Sequence, residues 1–486
     1  MSLVLLIAFP ILGAFLLPML AHRSAVLGRF MGPVVIAVNL GLALSLWQDI
    51  ILHGPRVEWV GGFAAPLGIV FHADLFSALL VLAIAVMTML LWPNRVQDPI
   101  REPVLSLVLM GAASGLALSA DLFNLFVFYE LTAVASYGLV ASRATGPSQI
   151  AAIRFLIISA AGSAFALLGI ALIYSITGSL NLAYLAQVAP TLLNGTLGMA
   201  AFTLILIGFG VKAELFPVNT WVPEVYASAS SRVSAMLSAV VSKLAMVVIL
   251  KILITVYANT AASWLMLVIG LLTLVSGELA AYRANDLRRV LAFSSIAQLG
   301  MVAMAFSVSG TAGILAGLAI MLHHLLAKPA LFLLAERWGG HLDRLTGAAY
   351  SSKTGGILFL FLALSLIGVP PLPGFWAKYL LLTALFGHDQ SLYYFAAVVL
   401  LFTTIIEAAY LIRILRRLYQ HTSSTLEPHR TCELVPALFL GGTLFFSILI
   451  AAPLGAALSD IAHSTADVPA YIQRIHPMEN SKEISV

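Results

Sequence analysis

The sequence predicts an all-α polytopic membrane protein with about 14 transmembrane helices, and its composition and its pattern of apolar runs support this. The 486 residues are 61% hydrophobic and only 9% charged, with a mean hydropathy of +1.02. A soluble domain is about 25% charged, so this chain has too few charges to cover a water-exposed surface. A net charge of +4 spread over such a chain forms no basic patch, which excludes nucleic acid as a partner.

The apolar runs recur at the length that crosses a bilayer as a helix. The predicted spans are residues 2–21, 28–47, 72–92, 103–119, 122–142, 150–174, 197–222, 232–257, 262–284, 287–308, 312–336, 354–386, 391–415 and 434–453. The first run has no basic residues before it, so we interpret it as a span rather than as a cleaved signal peptide.

Basic residues in the loops indicate the orientation of these spans. The loops after odd-numbered spans carry most of the arginines, including Arg143, Arg283, Arg337 and Arg417, whereas the loops after even-numbered spans carry Arg56 alone. Lysine and arginine accumulate on the cytoplasmic side of membrane proteins. We therefore expect a multi-pass protein of the inner (cytoplasmic) membrane with both termini on the outer side.

The cysteine content limits the chemistry that this chain can carry. Its single cysteine, Cys432, excludes an intramolecular disulfide, a Cys-ligated iron–sulfur cluster and a thiolate zinc site. We expect no cofactor, no metal and no enzymatic active site in this chain.

A group of lysines lies inside the apolar spans, where charges are rare. Each intramembrane charge costs at least about 2.5–3.5 kcal/mol on insertion scales. Arginine keeps its proton, whereas a desolvated lysine can release it. A string of such lysines could pass protons through intervening water, and a static salt bridge between helices is the structural alternative. The group consists of Lys212, Lys243, Lys251, Lys328 and Lys378.

Acids and histidines accompany these lysines. Glu130 lies in the middle of its span and could pair with Lys212 on a neighbouring helix, and Glu407 lies inside another span. His323 and His324 occupy the centre of the span 312–336 and titrate near neutrality, which suits a relay. His324 also shares a helix face with Lys328, four residues later. The roles of three further charges remain open, with snorkelling, a local ion pair and a helix-end anchor as alternatives for Lys251, Glu214 and Glu278 respectively.

Prolines predict two broken helices in corresponding positions of two five-helix blocks. Interior proline breaks a helix, and lipid tolerates the break only where the freed backbone groups face protein or a wet cavity. The breaks contain Pro217 and Pro223 in the first block, and Pro370, Pro371 and Pro373 in the second. Each break falls in the fourth span of its block, and five spans per block make the repeats inverted. We divide the chain into peripheral N-terminal helices (1–102), a first repeat forming an input half-channel (103–260), a second forming an output half-channel (261–420), and a last span with a polar tail (421–486).

Several segments are similar to one family along about residues 70–420. These segments are DLFNLFVFYEL, GVKAELFPVNTWVPEVY, RVSAMLSAVVSKLA, NDLRRVLAFSSIAQLGMV, HHLLAKPALFLL and GVPPLPGFWAKYLL. The chain resembles the proton-translocating, antiporter-like subunits of respiratory complex I, Mrp-type cation/proton antiporters and membrane-bound hydrogenases. The first segment looks most like the large D-type subunit of Mrp antiporters and its hydrogenase relatives.

The resemblance implies a function and a role for each group. The chain would conduct protons within a multisubunit complex of membrane subunits, coupled to Na⁺ exchange or to redox chemistry in its partners. Glu130 and Lys212 would be the input switch and Lys378 the output gate, with Glu407 as a further group on the proton path. The relay between them would consist of Lys243, His323, His324 and Lys328. The alternatives are a stand-alone secondary transporter of a small solute and, fitting poorly, a membrane-embedded enzyme.

Overall fold

The computed structural model describes residues 2–63, 68–93, 100–338, 340–421 and 433–475, and these residues are mostly helical. Cys432 lies outside them. The N-terminal part contains α1 (Leu5–Arg23), α2 (Ala25–His53), β1 (Arg56–Trp59), β2 (Val70–Ala73) and α3 (Leu75–Leu90). β1 and β2 form an antiparallel hairpin in which Trp59 lies opposite Val70.

The first predicted repeat folds into helices that alternate with short turns. It contains α4 (Arg101–Leu118), α5 (Leu122–Ala141), α6 (Gly146–Thr177), α7 (Leu182–Leu192), α8 (Thr196–Gly210), α9 (Val222–Ser228), α10 (Ser231–Met236), a π turn (Leu237–Val241) and α11 (Ser242–Thr255).

The second predicted repeat and the C-terminal part complete the fold. The second repeat contains α12 (Thr260–Arg283), α13 (Leu287–Ser307), α14 (Thr311–Trp338), α15 (Ala348–Ser351), α16 (Lys353–Ile367), α17 (Pro373–Phe386) and α18 (Ser391–Leu418). The C-terminal part contains α19 (Leu434–Leu449), α20 (Ala451–Ala466) and α21 (Val468–Ile475). The combined helix α10–α11, α13 and α14 are buried along most of their length and form the centre of the bundle.

The fold class agrees with the prediction, but the count of 14 spans is not established. Within the described ranges, ten helices are long and apolar enough to cross a membrane, or up to 11 if a bent pair is one span. The bent pair is α19 and α20, which meet at 94°. The other predicted spans correspond to shorter helices: α3, α8 with α9, and α16 with α17.

The second helix of each repeat begins in the same way. Asp121 caps α5 and Asp286 caps α13, each through a side-chain oxygen that accepts backbone N–H bonds from the first helical turn. Each cap also forms an isolated antiparallel bridge with the loop after the third helix of its repeat, Asp121 with Asn181 and Asp286 with His341. A local arrangement that recurs in both blocks is expected of an internal repeat.

Arginine contacts show that these two helices run in opposite directions. Arg143, just after the C-terminal end of α5, donates to the backbone oxygen of Ala229 at 2.9 Å. Arg288, at the N-terminal end of α13, donates to the same oxygen at 3.3 Å. The end of one helix and the start of the other therefore lie at one end of the bundle, as an inverted repeat requires.

The fourth helix of each repeat is interrupted. Residues 211–221 separate α8 from α9, and residues 368–372 separate α16 from α17. Pro217, Pro370 and Pro371 lie in these interruptions. Pro223 and Pro373 instead lie in the first turn of the helix that follows, where the missing N–H of proline costs no hydrogen bond.

Candidate functional site

The first ion pair joins the break of the first repeat to α5. Lys212 lies in the break and is completely buried, with its Nζ 3.4 Å from Oε1 of Glu130. The same Nζ lies 3.2 Å from the centre of the Tyr129 ring, so the ammonium has both a carboxylate and a π face as partners. Tyr129 is itself held by a 2.8 Å hydrogen bond to the backbone oxygen of Gly208, and Ser163 of α6 donates to Glu130. The pair expected from the sequence is therefore present and is positioned by three helices.

Glu214 does not form an ion pair with Lys212, which is a correction to the local partnership considered from the sequence. Its residue has a positive φ of 60°, and the side chain turns inward to accept a 2.5 Å hydrogen bond from the Tyr226 hydroxyl. Its Oε2 is buried without a hydrogen-bond partner among the described residues. The cations that act on this carboxylate are Lys243 and Lys328. Glu214 therefore lies between the first pair and the centre of the bundle.

The central pair is Lys243 of α11 and His324 of α14. The Lys243 ammonium donates to Nδ1 of His324 and to the backbone oxygen of Ser238. Ser238 belongs to the π turn Leu237–Val241, where the wider backbone turn displaces carbonyls from the α-helical pattern. The other ring nitrogen of His324, Nε2, lies 3.1 Å from the hydroxyl of Ser295 on α13. His324 thus bridges α11 and α13 with both of its nitrogens.

Lys328 continues the series on the next turn of α14. Its Nζ donates to the hydroxyl of Ser294 at 2.5 Å. The carboxylates that act on its charge are Glu407, Glu278 and Glu214. Glu278 is completely buried near Tyr410, so the helix-end anchor considered from the sequence does not describe it.

The second ion pair lies at the break of the second repeat. Lys378 of α17 donates to Oε2 of Glu407 at 2.5 Å and to the backbone oxygen of Ile367, the last residue of α16, at 3.2 Å. Gln298 of α13 approaches the other carboxylate oxygen at 3.3 Å. The lysine therefore ties both halves of the broken helix to α18.

His323 has different neighbours from His324, because adjacent helical residues face directions about 100° apart. Its Nε2 lies 2.9 Å from the hydroxyl of Ser365 on α16, and the same hydroxyl accepts the backbone N–H of Gly374 at 3.3 Å. His323 therefore contacts the second break rather than Lys243.

The predicted residues thus line up through the interior of both repeats. Sequence analysis missed the hydroxyl and amide groups that contact them, among them Ser294, Ser295 and Gln298 of the largely buried helix α13. We use the term axis for the whole series of acids and bases, which consists of Glu130, Lys212, Glu214, Lys243, His324, Lys328, Glu278, Glu407 and Lys378.

The axis defines a class of protein. Its members are mostly buried acids and bases that contact one another in pairs or bond to serine and tyrosine hydroxyls, which is the arrangement expected of a membrane protein that moves protons. Within the described ranges, no three His, Cys, Asp or Glu side chains are grouped so that they could hold a metal ion.

Comparison with known proteins identifies the family. Residues 119–406 match the family described as NADH:quinone oxidoreductase/Mrp antiporter, TM, and the chain belongs to this family. The chain is 31% identical over 408 residues to the D-type subunit of the Na⁺/H⁺ antiporter of Alkalihalophilus pseudofirmus, and the match covers 80% of this chain and 81% of that protein.

Two solved structures have the same fold over nearly the whole chain. A chain of the membrane-bound sulfane sulfur reductase, an archaeal respiratory membrane complex, matches with a TM-score of 0.90 at 28% identity, covering 97% of this chain and 99% of that one. A chain of the Mrp complex from Dietzia sp. matches with a TM-score of 0.88 at 26% identity, covering 97% and 98%. The resemblance seen in the sequence is confirmed, and it favours an antiporter-like subunit over a stand-alone transporter of a small solute.

Proposed function

We propose that this chain is the proton-translocating subunit of a multisubunit membrane complex and that protons move along the axis. The observation that carries the proposal is the series of mostly buried acids and bases in the interior of both repeats, from Glu130 to Lys378. Helix packing alone gives no reason for so many intramembrane charges, because each one costs free energy on insertion.

Glu130 and Lys212 form the input switch in this proposal. The Glu130 side chain is 34% exposed, whereas Lys212 is completely buried. A proton that reaches Glu130 neutralises the carboxylate and removes the main anion that holds the Lys212 ammonium in place. The Lys212 proton is then free to pass towards Glu214 and the centre of the bundle.

Lys243, His324 and Lys328 form the relay, and Lys378 with Glu407 forms the output gate. His324 can accept a proton on one ring nitrogen while it releases one from the other, because its two nitrogens contact different helices. His323, which contacts Ser365 at the second break, links the relay to the gate. A cation that arrives at Lys328 competes with Lys378 for Glu407, and this competition opens the gate.

Replacing Lys243 with arginine tests the proposal directly. Arginine keeps the positive charge but cannot be deprotonated, so Lys243→Arg blocks a proton relay while preserving the electrostatics. We expect proton flux to be lost in membrane vesicles that carry the whole complex, measured with a pH-sensitive dye. Lys353→Arg, at an exposed lysine that begins α16, is the matched control.

The outcome separates a proton path from a structural charge network. If Lys243→Arg retains normal flux in a complex of normal abundance, the axis does not carry protons. Lys243→Met supplies a neutral comparison, because both variants stop a relay whereas only the neutral one removes the charge.

The reaction that drives proton movement depends on the partners of this chain, which we propose to be other membrane subunits. Gentle purification from native membranes, followed by mass spectrometry, separates two cases. Small hydrophobic subunits without redox proteins support cation/proton antiport, in which Na⁺ is a candidate counter-ion, whereas iron–sulfur or quinone-reactive subunits support a redox-driven pump. We propose that no cofactor binds this chain and that any redox centre lies in its partners.

We also propose that both termini face the outer side of the inner membrane. Leu3 donates its backbone N–H to Glu58 of the β hairpin, and Ile475 of α21 packs with Val70 of the hairpin and Ala183 of α7. These contacts bring both ends of the described chain to the end of the bundle that lacks the arginine-rich loops. A protease added to intact spheroplasts should cleave a tag at either terminus.

A further inference from the structure

Lys251 lies outside the axis and has its own surroundings. It lies on α11 and donates to the backbone oxygens of Ala117 at 2.6 Å and Ser119 at 3.2 Å, at the C-terminal end of α4. An ammonium carries three donors, so two hydrogen bonds leave one N–H for a further partner.

A small cavity lies beside this lysine. Its volume is about 40 Å³, which is room for a few water molecules at most. His72 lines it, and its Nε2 is buried without a hydrogen-bond partner among the described residues. Ser464 of α20 and Tyr471 of α21 form the cover. A buried donor and an unpartnered nitrogen that face a cavity of this size define a site for ordered water.

Three charged groups act on His72. They are Asp74, the cap of α3, Lys251 of α11 and Arg474 of α21, while the ring of Tyr471 meets the imidazole edge-on at 5.0 Å. Burial lowers the pKa of His72 to about 4, with Asp74 opposing that effect and the two cations adding to it. The imidazole is therefore neutral near pH 7. It can form a hydrogen bond with a water molecule without taking up the proton that Lys251 releases.

A second cavity adjoins the small one at an end of the bundle, where α11, α13 and α17 end. It has a volume of about 330 Å³ and shares Ile254 and Val468 with the small cavity, so these two side chains form the partition between them. Its polar lining consists of Asn259, Thr260, Ser263, Ser309, His388, Gln390 and Tyr393. Val468 is the first residue of α21, so the position of that short helix controls the partition.

We propose that Lys251 is a second proton-exchange site, which releases protons from the first repeat through these two cavities. The ammonium transfers its proton to water held by His72, and the proton leaves past Ile254 and Val468. The neutral amine is then reprotonated from Lys243. This inference rests on the proposed function and adds an outlet that does not pass through Lys378.

The spacing along α11 makes this transfer feasible. Lys243 and Lys251 are eight residues apart, about 12 Å along a helix. Val247 lies four residues from each lysine and shares their helix face together with Met246 and Leu250, so a few buried apolar side chains separate the two lysines on that face. The proposed transfer therefore requires water to enter between these side chains.

Lys251→Arg tests the site against its structural alternative, a static cap of α4. Arginine keeps the charge and the donors to Ala117 and Ser119 but cannot release a proton. In vesicles containing the whole complex, we expect proton flux to fall several-fold and its dependence on outer pH to flatten. Val468→Trp, which fills the partition, should lower flux similarly, with Val468→Leu as the matched control.

The outcomes separate this proposal from the proposed function. If Lys243→Arg abolishes flux while Lys251→Arg keeps both the flux and the pH profile of the native complex, Lys251 is a helix cap and the outlet does not exist. If the complex with Lys251→Arg assembles poorly, the two Val468 variants provide the test. Equal flux in Val468→Trp and Val468→Leu would contradict the proposed outlet. Normal flux in Lys243→Arg instead overturns the function on which it rests.

Discussion

The two ion pairs at the ends of the axis differ in which member is more exposed to solvent, the acid or the base. In the first pair the carboxylate of Glu130 is 34% exposed and the lysine is 0% exposed, at 3.4 Å. In the second pair the carboxylate of Glu407 is 1% exposed and the lysine is 11% exposed, at 2.5 Å. The repeat is thus inverted in charge as well as in direction, because the acid is the accessible member at one end and the base at the other. The first pair is longer and its carboxylate is partly exposed, which suits a switch. The second pair is shorter and mostly buried, which suits a gate that stays closed.

The largest expected difference concerns stability. Glu407→Ala removes the carboxylate from the buried Lys378 ammonium and leaves it with the backbone oxygen of Ile367, which costs about 3–5 kcal/mol. Glu130→Ala costs less, because Lys212 keeps the ring of Tyr129 as a partner. Thermal unfolding of the purified complex should therefore show a clearly lower midpoint for Glu407→Ala than for Glu130→Ala. Equal midpoints would mean that enclosure of the second pair does not stabilise it.

Neutralising the carboxylates should separate transport from stability. Glu130→Gln keeps an acceptor for Ser163 but removes the charge, so we expect proton flux to fall about tenfold or more, equivalent to at least about 1.4 kcal/mol, with little change in melting temperature. Glu407→Gln should reduce both flux and melting temperature. The view of the first pair as a switch fails if Glu130→Gln transports normally.

The aromatic partner distinguishes the first pair from the second. Tyr129→Leu removes the π face beneath the Lys212 ammonium, which is worth up to about 2 kcal/mol at a desolvated site. We expect a several-fold loss of flux, measured with the dye assay. Tyr129→Phe is the control, since it keeps the ring and removes only the hydrogen bond to Gly208. Identical losses in both variants would assign the effect to the hydroxyl.

The smallest expected effect is at Ser163. Ser163→Ala removes one donor to Glu130, a hydrogen bond worth about 1 kcal/mol or somewhat more. Flux should change by less than in Glu130→Gln, and Ser163→Thr should restore it. A loss as large as that of Glu130→Gln would show that the hydroxyl transfers protons rather than only positioning the carboxylate.

The apolar segments, the intramembrane lysines and the broken helices could be predicted from the sequence because a bilayer disfavours charges and unpaired backbone groups. Charges and prolines are costly in it, so Lys212, Lys378 and Pro217 stand out against apolar neighbours. The pairing of Glu130 with Lys212 could be proposed because few intramembrane acids were available to choose from.

The linking groups could not be identified in this way. Serine, tyrosine and glutamine are tolerated in many buried helices, so Ser294 or Tyr226 carries no signal until its neighbours are known. The partner of Glu214 depends on a backbone φ of 60°, which sequence spacing does not predict. The 94° bend between α19 and α20 likewise depends on packing against α3 and α14.

The π turn before Lys243 leaves the backbone oxygen of Ser238 free to accept from a side chain. Its closing bond runs from the N–H of Ser242 to the oxygen of Leu237, five residues back, so the turn holds one residue more than an α turn. Insertion of a single codon into an ordinary helix produces such a turn and leaves both flanking helices intact. Deletion of one residue from positions 239–241 should convert this turn into an ordinary α turn, in which the oxygen of Ser238 accepts a backbone N–H and is no longer available to Lys243. A change of one residue would then remove a contact of Lys243 while the helices on either side stay folded.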